Sequence, residues 1–217
     1  MEPVAAPNPS WRSRVLRNGF ALLLIALAVM WFIEALDTFV LDDRLQRNGI
    51  LPRERDGIDG ILWAPFLHVD FGHLSSNSVP LIVLGGLVAA RGLRYWLIVT
   101  LVAICFGGGL TWLLAGSGNH IGASGVVFAY FGAVLSAAWF ERRPRALAGA
   151  LLAIFLYSSF IAGLVPQERI SWEGHLFGMI VGAVAAKVMA EPRRPKYVDD
   201  PSKVQPWEAD EPWRTDT

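Results

Sequence analysis

Six stretches of the chain are apolar for about the length that a bilayer demands. A hydrocarbon core of about 30 Å takes roughly 20 helical residues at about 1.5 Å each. The stretches run from Phe20 to Leu36, Leu74 to Ala90, Leu93 to Ala115, Gly122 to Phe140, Ala146 to Val165 and Gly174 to Ala190. None shows the alternation of apolar and polar positions that a membrane strand requires, so each predicts a helix. The expected fold is an all-α polytopic membrane protein, a bundle of six transmembrane helices over residues 17–190. The first stretch contains Ala26-Leu27-Ala28, a small-x-small triplet, but in its middle rather than after its end, and this predicts a retained helix rather than a cleaved signal. Residues 1–16 and 191–217, the latter rich in proline and charge, are expected as a disordered cytoplasmic tail and a solvated cytoplasmic extension. The connection Asp37–Leu67 is about thirty residues long, far above the usual span between packed helices, which marks it as a functional segment.

Charge adds a direction. The segments on one side of this topology hold fourteen of the 19 lysines and arginines, including Arg91, Arg94, Arg142, Arg143, Arg145 and Lys187. The other side holds Arg44, Arg47, Arg53, Arg55 and Arg169. The imbalance predicts that both termini are cytoplasmic. Charged residues make up 18% of the chain, against about 25% in soluble domains. A formal net charge of zero leaves no basic field for nucleic acid. The single cysteine, Cys105, rules out an intrachain disulfide and a cysteine-based metal site. Four histidines, His68, His73, His120 and His175, come with no carboxylate at a fixed ligand spacing, so neither a metal nor a cofactor is expected.

Polar side chains are expensive in lipid, and those inside or beside the spans carry the chemistry. Gly122-Ala123-Ser124-Gly125 opens the fourth span and sets Ser124 at a helix N-terminus, where free N–H groups and the positive end of the dipole suit a developing oxyanion. His175 opens the sixth span within Gly174-His175-Leu176-Phe177-Gly178, at the same predicted depth. Gly174, Gly178 and Gly182 form a bare stripe on that helix, and Gly125, Ala129, Gly132 and Ser136 form one on the fourth, so the two backbones can approach closely. A third group, His68, His73 and Asn77, leads into the second span, with His73 and Asn77 four apart on one face and both able to donate hydrogen bonds. Singly, each has a plainer reading, as small residues that pack or polar residues that cap an interface. Together they bring a nucleophile, a base and donors to one depth from three spans.

These motifs, in this order, resemble the rhomboid family of intramembrane serine proteases over about Trp63 to Ala190, and the six-helix core resembles the simplest, bacterial type. The resemblance implies Ser124 as nucleophile and His175 as general base, with no acidic third member. It implies an oxyanion hole from His73, Asn77 and the Ser124 N–H, with His68 in support, and Gly122, Gly125, Gly174, Gly178 and Phe128 packed near the site. It implies a first loop lying partly in the outer leaflet and a cap from Pro166–Trp172. It also implies that the substrates are single-span membrane proteins, cut near the outer end of their helix, and that the chain resides in a bacterial plasma membrane. Two positions depart from the family pattern: Trp63 is followed by Ala64 rather than arginine, and Phe128 stands where tyrosine is frequent.

The chemistry so implied is attack by Ser124 Oγ on a peptide carbonyl while His175 takes the proton and returns it to the leaving amine. Water must reach the serine, and Ser75, Ser76, Ser78, Asn119 and His120 are the expected lining of that route. The alternative in the same family is a catalytically inactive protein that binds membrane clients. A transporter would need charges near the midplane and broken helices, whereas here the polar groups gather at one end of their spans.

Overall fold

The computed structural model describes residues 9–167 and 170–190; residues 1–8, Glu168, Arg169 and the extension 191–217 lie outside the described residues. Six principal helices follow one another: α1 Pro9–Val40, α2 Phe71–Ala89, α3 Leu93–Leu114, α4 Ser124–Glu141, α5 Pro144–Leu164 and α6 Trp172–Val188. No strand occurs among the described residues beyond one isolated bridge between Ile50 and His120. Five helices, α1 from Asn18 and α2 to α5, are long and apolar enough to cross a membrane; α6 has 17 residues. The boundary expected at residue 16 falls inside α1.

Local chemistry sets the helix ends. Asp70 caps α2, its carboxylate accepting the His73 N–H at 2.7 Å, a contact of about 1 kcal/mol. Gly92 adopts φ +120° before α3, and Pro144 stands at the first turn of α5, where its missing N–H costs nothing. In α3 the segment Ala103–Gly107 widens into a π turn beside the site described below.

The core is built round α4, which is apolar on every face and buried over most of its length. Its tightest neighbour is α6. A Cβ on Gly178 would overlap the Gly125 carbonyl, one on Gly182 the Ala129 carbonyl, and one on Gly132 the Met179 carbonyl. The two stripes of small residues therefore meet backbone to backbone, and Ser136 Oγ closes the seam by donating to Ala183 O at 2.7 Å. On the other side, Leu23 of α1 and Tyr130 of α4 close over Gly85 of α2, and the Tyr130 hydroxyl meets Thr100 Oγ1 of α3 at 2.8 Å.

Two expectations change. Asp37 does not begin the first loop; it lies buried in α1, and its carboxylate accepts the N–H groups of Leu45 at 2.8 Å and Gln46 at 3.1 Å, so it fixes the loop's first turn. Ser78 is buried, donates to Leu74 O at 2.7 Å and accepts from Trp31 Nε1 at 3.1 Å, so it ties α1 to α2 and lines no water route.

The long first loop is ordered by pairing with the connection between α3 and α4. Ile50 and His120 exchange two backbone hydrogen bonds of 3.0 Å; Arg53 N–H donates to Trp112 O at 2.9 Å, and its guanidinium to Ala115 O at 2.7 Å. Trp112 Nε1 returns a bond to Glu54 O at 2.9 Å. The loop thereby presents the turn Ala64–Phe66 to the start of α4.

Candidate active site

Ser124 is the first residue of α4, so its N–H and the two that follow have no carbonyl one turn earlier to bond. What holds this end in place is the backbone before it. Gly122 has φ +112°, a conformation for which glycine is suited, and its N–H donates to Ala64 O at 2.8 Å. A Cβ there would lie 2.7 Å from His73 Cε1 and 2.9 Å from His73 Nε2, with Asn77 Nδ2 at 3.6 Å, so glycine is also the residue that lets α2 reach this turn.

Ser124 Oγ and His175 Nε2 are 2.8 Å apart, although 51 positions separate them in the chain. The α4–α6 seam brings them together: the residues one turn into α6 and at the start of α4, Gly178 and Gly125, are in backbone contact. His175 Nδ1 lies 2.8 Å from Gly163 O, which can only accept. The neutral imidazole therefore carries its proton on Nδ1 and turns the Nε2 lone pair to the serine hydroxyl. A backbone carbonyl at the end of α5 here performs the orienting role that a carboxylate has in a three-membered constellation.

The ring is also held by stacking. Phe128, one turn into α4, lies parallel to His175 with centroids 4.2 Å apart and planes 7° from coplanar, and Phe160 lies against Phe128 at 4.7 Å. These contacts use the faces of the rings, so the absence of a hydroxyl at Phe128 removes none of them.

His68 is 2% exposed, and its Nε2 accepts the Ala123 N–H at 3.3 Å, immediately before Ser124. Burial pushes its pKa down to about 4, the neighbouring His73 pushes the same way, and a backbone hydrogen bond at Phe66 opposes them. It is neutral at neutral pH and retains its acceptor. His73 meets His68 edge to face at 5.1 Å, and Asn77 Nδ2 donates back to His73 O at 3.1 Å. His73, Asn77 and His68 thus surround the turn Gly122–Ser124 from the α2 side, while His175 approaches from α6.

Other expected residues take different positions. His120 Nε2–H donates to Gly116 O at 3.2 Å and its Nδ1 accepts from Ser171 Oγ at 2.6 Å, and Asn119 Nδ2 donates to Gln46 O at 2.6 Å. Both fasten loops together, both line an open pocket at the loop surface, and His120 also lines the cavity beside Ser124. Ser76 is exposed and donates to His73 O at 2.8 Å; Ser75 is exposed. A cavity of about 50 Å³ does adjoin Ser124 and Gly125, walled by the π turn of α3, Ala64 and Gly174, with room for a few waters. Gly174 sits where a Cβ would lie 2.6 Å from Ser171 Oγ. Trp63 is exposed and its neighbour Ala64 buried, so the position where arginine is frequent supplies a backbone carbonyl to Gly122. From the expected cap, Ser171 is joined to the site through His120, and Gln167 Nε2 donates to Ala162 O at 2.6 Å. Gly163 and Phe160 were not expected at the site: a carbonyl acceptor has no side-chain signature, and the one cue was a glycine close to Pro166.

The family model for the Rhomboid domain matches residues 57–192, a segment that contains His68, His73, Asn77, Ser124, Gly163 and His175. The chain belongs to the rhomboid family. It is an integral membrane protein of a family of intramembrane serine proteases. This rhomboid is 34% identical over 186 residues to uncharacterized proteins of Mycobacterium tuberculosis and Mycobacterium bovis, covering 81% of its own length and 77% of theirs. A similar protein of Mycobacterium leprae is 35% identical over 186 residues, with 81% and 73% covered.

Proposed function

We propose that this rhomboid is an intramembrane serine endopeptidase that cuts single-span membrane proteins near the outer end of their transmembrane helix. The observation that carries this reading is the 2.8 Å contact of Ser124 Oγ with an imidazole nitrogen whose partner nitrogen is committed to the Gly163 carbonyl. In this reading α6 is the sixth span, packed into the bundle along α4. Both termini are cytoplasmic, in line with the lysine and arginine distribution, and the bilayer is a bacterial plasma membrane, in line with mycobacterial relatives.

Ser124 Oγ attacks the scissile carbonyl as its proton passes to His175 Nε2. The imidazolium then donates to the leaving amine, and water releases the acyl group by the reverse sequence. Negative charge on the carbonyl oxygen is met by the Ser124 N–H at the α4 terminus and by the side chains of His73 and Asn77, each preorganised donor contributing about 3–4 kcal/mol. His68 holds the Ala123 N–H and thereby the angle at which α4 begins. Since the peptide bond of an intact helix is shielded by its own hydrogen bonds, a substrate must unwind at the cut, and glycine or proline there lowers that cost.

The test is cleavage of a labelled single-span reporter by reconstituted wild type and Ser124→Ala, with the cut bond read by mass spectrometry. Wild type is expected to cleave and the variant not to. Equal cleavage by both removes the assignment, and cleavage by neither, with both folded, favours a client-binding protein without catalysis.

A further inference from the structure

Toward the end of the bundle away from Ser124, about 15–20 Å along α4 at Val134 and Ala137, the helices frame a second cavity of about 240 Å³. Leu87 and Arg91 contribute from α2 and the residues after it, Tyr95 from α3, Arg145 and Gly149 from α5, and Met189 from the end of α6. The catalytic reading makes no use of it.

Two guanidinium groups line this cavity. Arg91 is paired with the buried carboxylate of Glu141 and lies over the Tyr95 ring, 4.4 Å from its centroid. Arg145 is exposed. One carboxylate, engaged through Oε1 by Arg91, therefore faces two cations, and α5 begins here, which adds the positive end of its dipole. Arg91 Nε and Tyr95 Oη are buried with no hydrogen-bond partner among the described residues, and so is Glu141 Oε2, which leaves this cluster one more unpaired donor than acceptor. An oxyanion with several acceptor oxygens matches such a set, and the planar fork of arginine matches phosphate in particular. The surroundings narrow the source. The cavity lies where cationic connections meet the apolar spans, the depth of lipid headgroups, and the exposed Leu152 and Leu156, three and seven residues on from Gly149, continue from it along the same face of α5 as a surface for acyl chains.

We propose that this cavity is a phosphate-binding site that takes the headgroup of an anionic phospholipid. It stands independently of the protease reading. The experiment is native mass spectrometry of the full-length protein in detergent with phosphatidylglycerol or phosphatidylcholine, alongside thermal unfolding with inorganic phosphate. Wild type is expected to retain phosphatidylglycerol about fivefold to tenfold better than phosphatidylcholine. Arg145→Gln should reduce that preference severalfold. Gly149→Leu leaves every charge in place but fills the cavity; a Cβ there meets nothing closer than Leu87 Cδ2 at 3.9 Å, so the fold accommodates the start of the new side chain. Loss of the preference in Gly149→Leu separates a built site from the general attraction of a basic rim for anionic lipid. A shift with inorganic phosphate alone, abolished in both variants, supports the phosphate site and assigns it to the free anion. Equal retention of the two lipids by wild type, or an undiminished preference in Gly149→Leu, overturns the proposal.

Discussion

The α4–α6 seam and helix α5 hold the same imidazole in different ways. Along the seam, Gly178, Gly182 and Gly132 press backbone on backbone, and no side chain could adjust if the helices moved. Helix α5 buries a narrow row, Ala146, Ala150, Ala153 and Tyr157, while Leu151 and Phe155 on its other face are exposed. Yet α5 supplies Phe160 and the Gly163 carbonyl. The distance between hydroxyl and imidazole is thus set by the most rigid contact in the molecule, and the proton on that imidazole by a peripheral one. Positioning and tautomer are separable here, and substitutions can address each in turn.

The largest effect is expected at the seam. In Gly182→Ala the added methyl overlaps the Ala129 carbonyl, which cannot rotate away, so α6 must shift from α4. Overpacking a tight core costs about 1–3 kcal/mol or more, and a backbone obstacle places this variant at or above about 3 kcal/mol. Thermal unfolding in detergent should show the loss, and a serine-directed phosphonate should label Ser124 poorly. An unchanged melting temperature with full labelling would show that the pair does not depend on this contact.

His68 guards the start of the same seam from the α2 side, and pH reports on it. Its ordinary pKa of 6.5 falls to about 4 in the folded protein, because burial disfavours the charged ring and the neighbouring His73 adds to that. The folded state then binds fewer protons than the unfolded one between those values. Its contribution to stability is fully present above pH 6.5 and is lost as pH falls through 4, about 3 kcal/mol in all. His68→Gln retains an acceptor without a proton to titrate. The difference between wild-type and variant stability should vary with pH in that window and be level above it; parallel curves would show that His68 titrates normally.

Much of this was legible in the chain itself, for physical reasons. Long apolar blocks have one stable solution in lipid, so the helices lie where hydropathy put them, and α6 follows from the glycine stripe that α4 answers. Ser124, His175, His73 and Asn77 stand out because a polar side chain near lipid is costly and hence conspicuous. What stayed hidden involves backbone or distant pairing. The Gly163 carbonyl has no residue identity to read. The bridge between Ile50 and His120 joins segments seventy positions apart and gives two of the expected lining residues, Asn119 and His120, a second role as loop fasteners. Asp37 looked like a loop charge, but it is buried against donors that sequence spacing does not reveal.

Gly163→Ala addresses the peripheral half of the arrangement. A methyl there would lie 3.0 Å from Phe128 Cζ and 3.2 Å from His175 Nδ1, so the carbonyl must draw back by a few tenths of an ångström. The imidazole then loses its orienting acceptor while the seam is untouched. The expected result is a fall in kcat of about 100-fold, the scale of a small misplacement of a catalytic group. KM and melting temperature should stay near wild type. A fall in stability as large as the fall in rate would mean that α5 is integral to the core and that the separation of roles does not hold.

The smallest effect tests whether α5 is as loosely held as its exposure implies. Gly149→Ala adds a methyl whose nearest neighbour, Leu87 Cδ2, is 3.9 Å away, an ordinary contact distance. With nothing to collide with, the change acts mainly through the backbone entropy that glycine forfeits on entering a helix, roughly 0.5–1 kcal/mol. The same chemical change that is costly at Gly182 should therefore raise stability slightly at Gly149. Opposite signs for the two alanine variants, read by thermal unfolding under one set of conditions, are what a backbone-packed seam beside a side-chain-packed peripheral helix requires. A loss at Gly149 comparable to that at Gly182 would mean that α5 is pressed against α2 as closely as α6 is against α4, and the distinction between the two regions would fail.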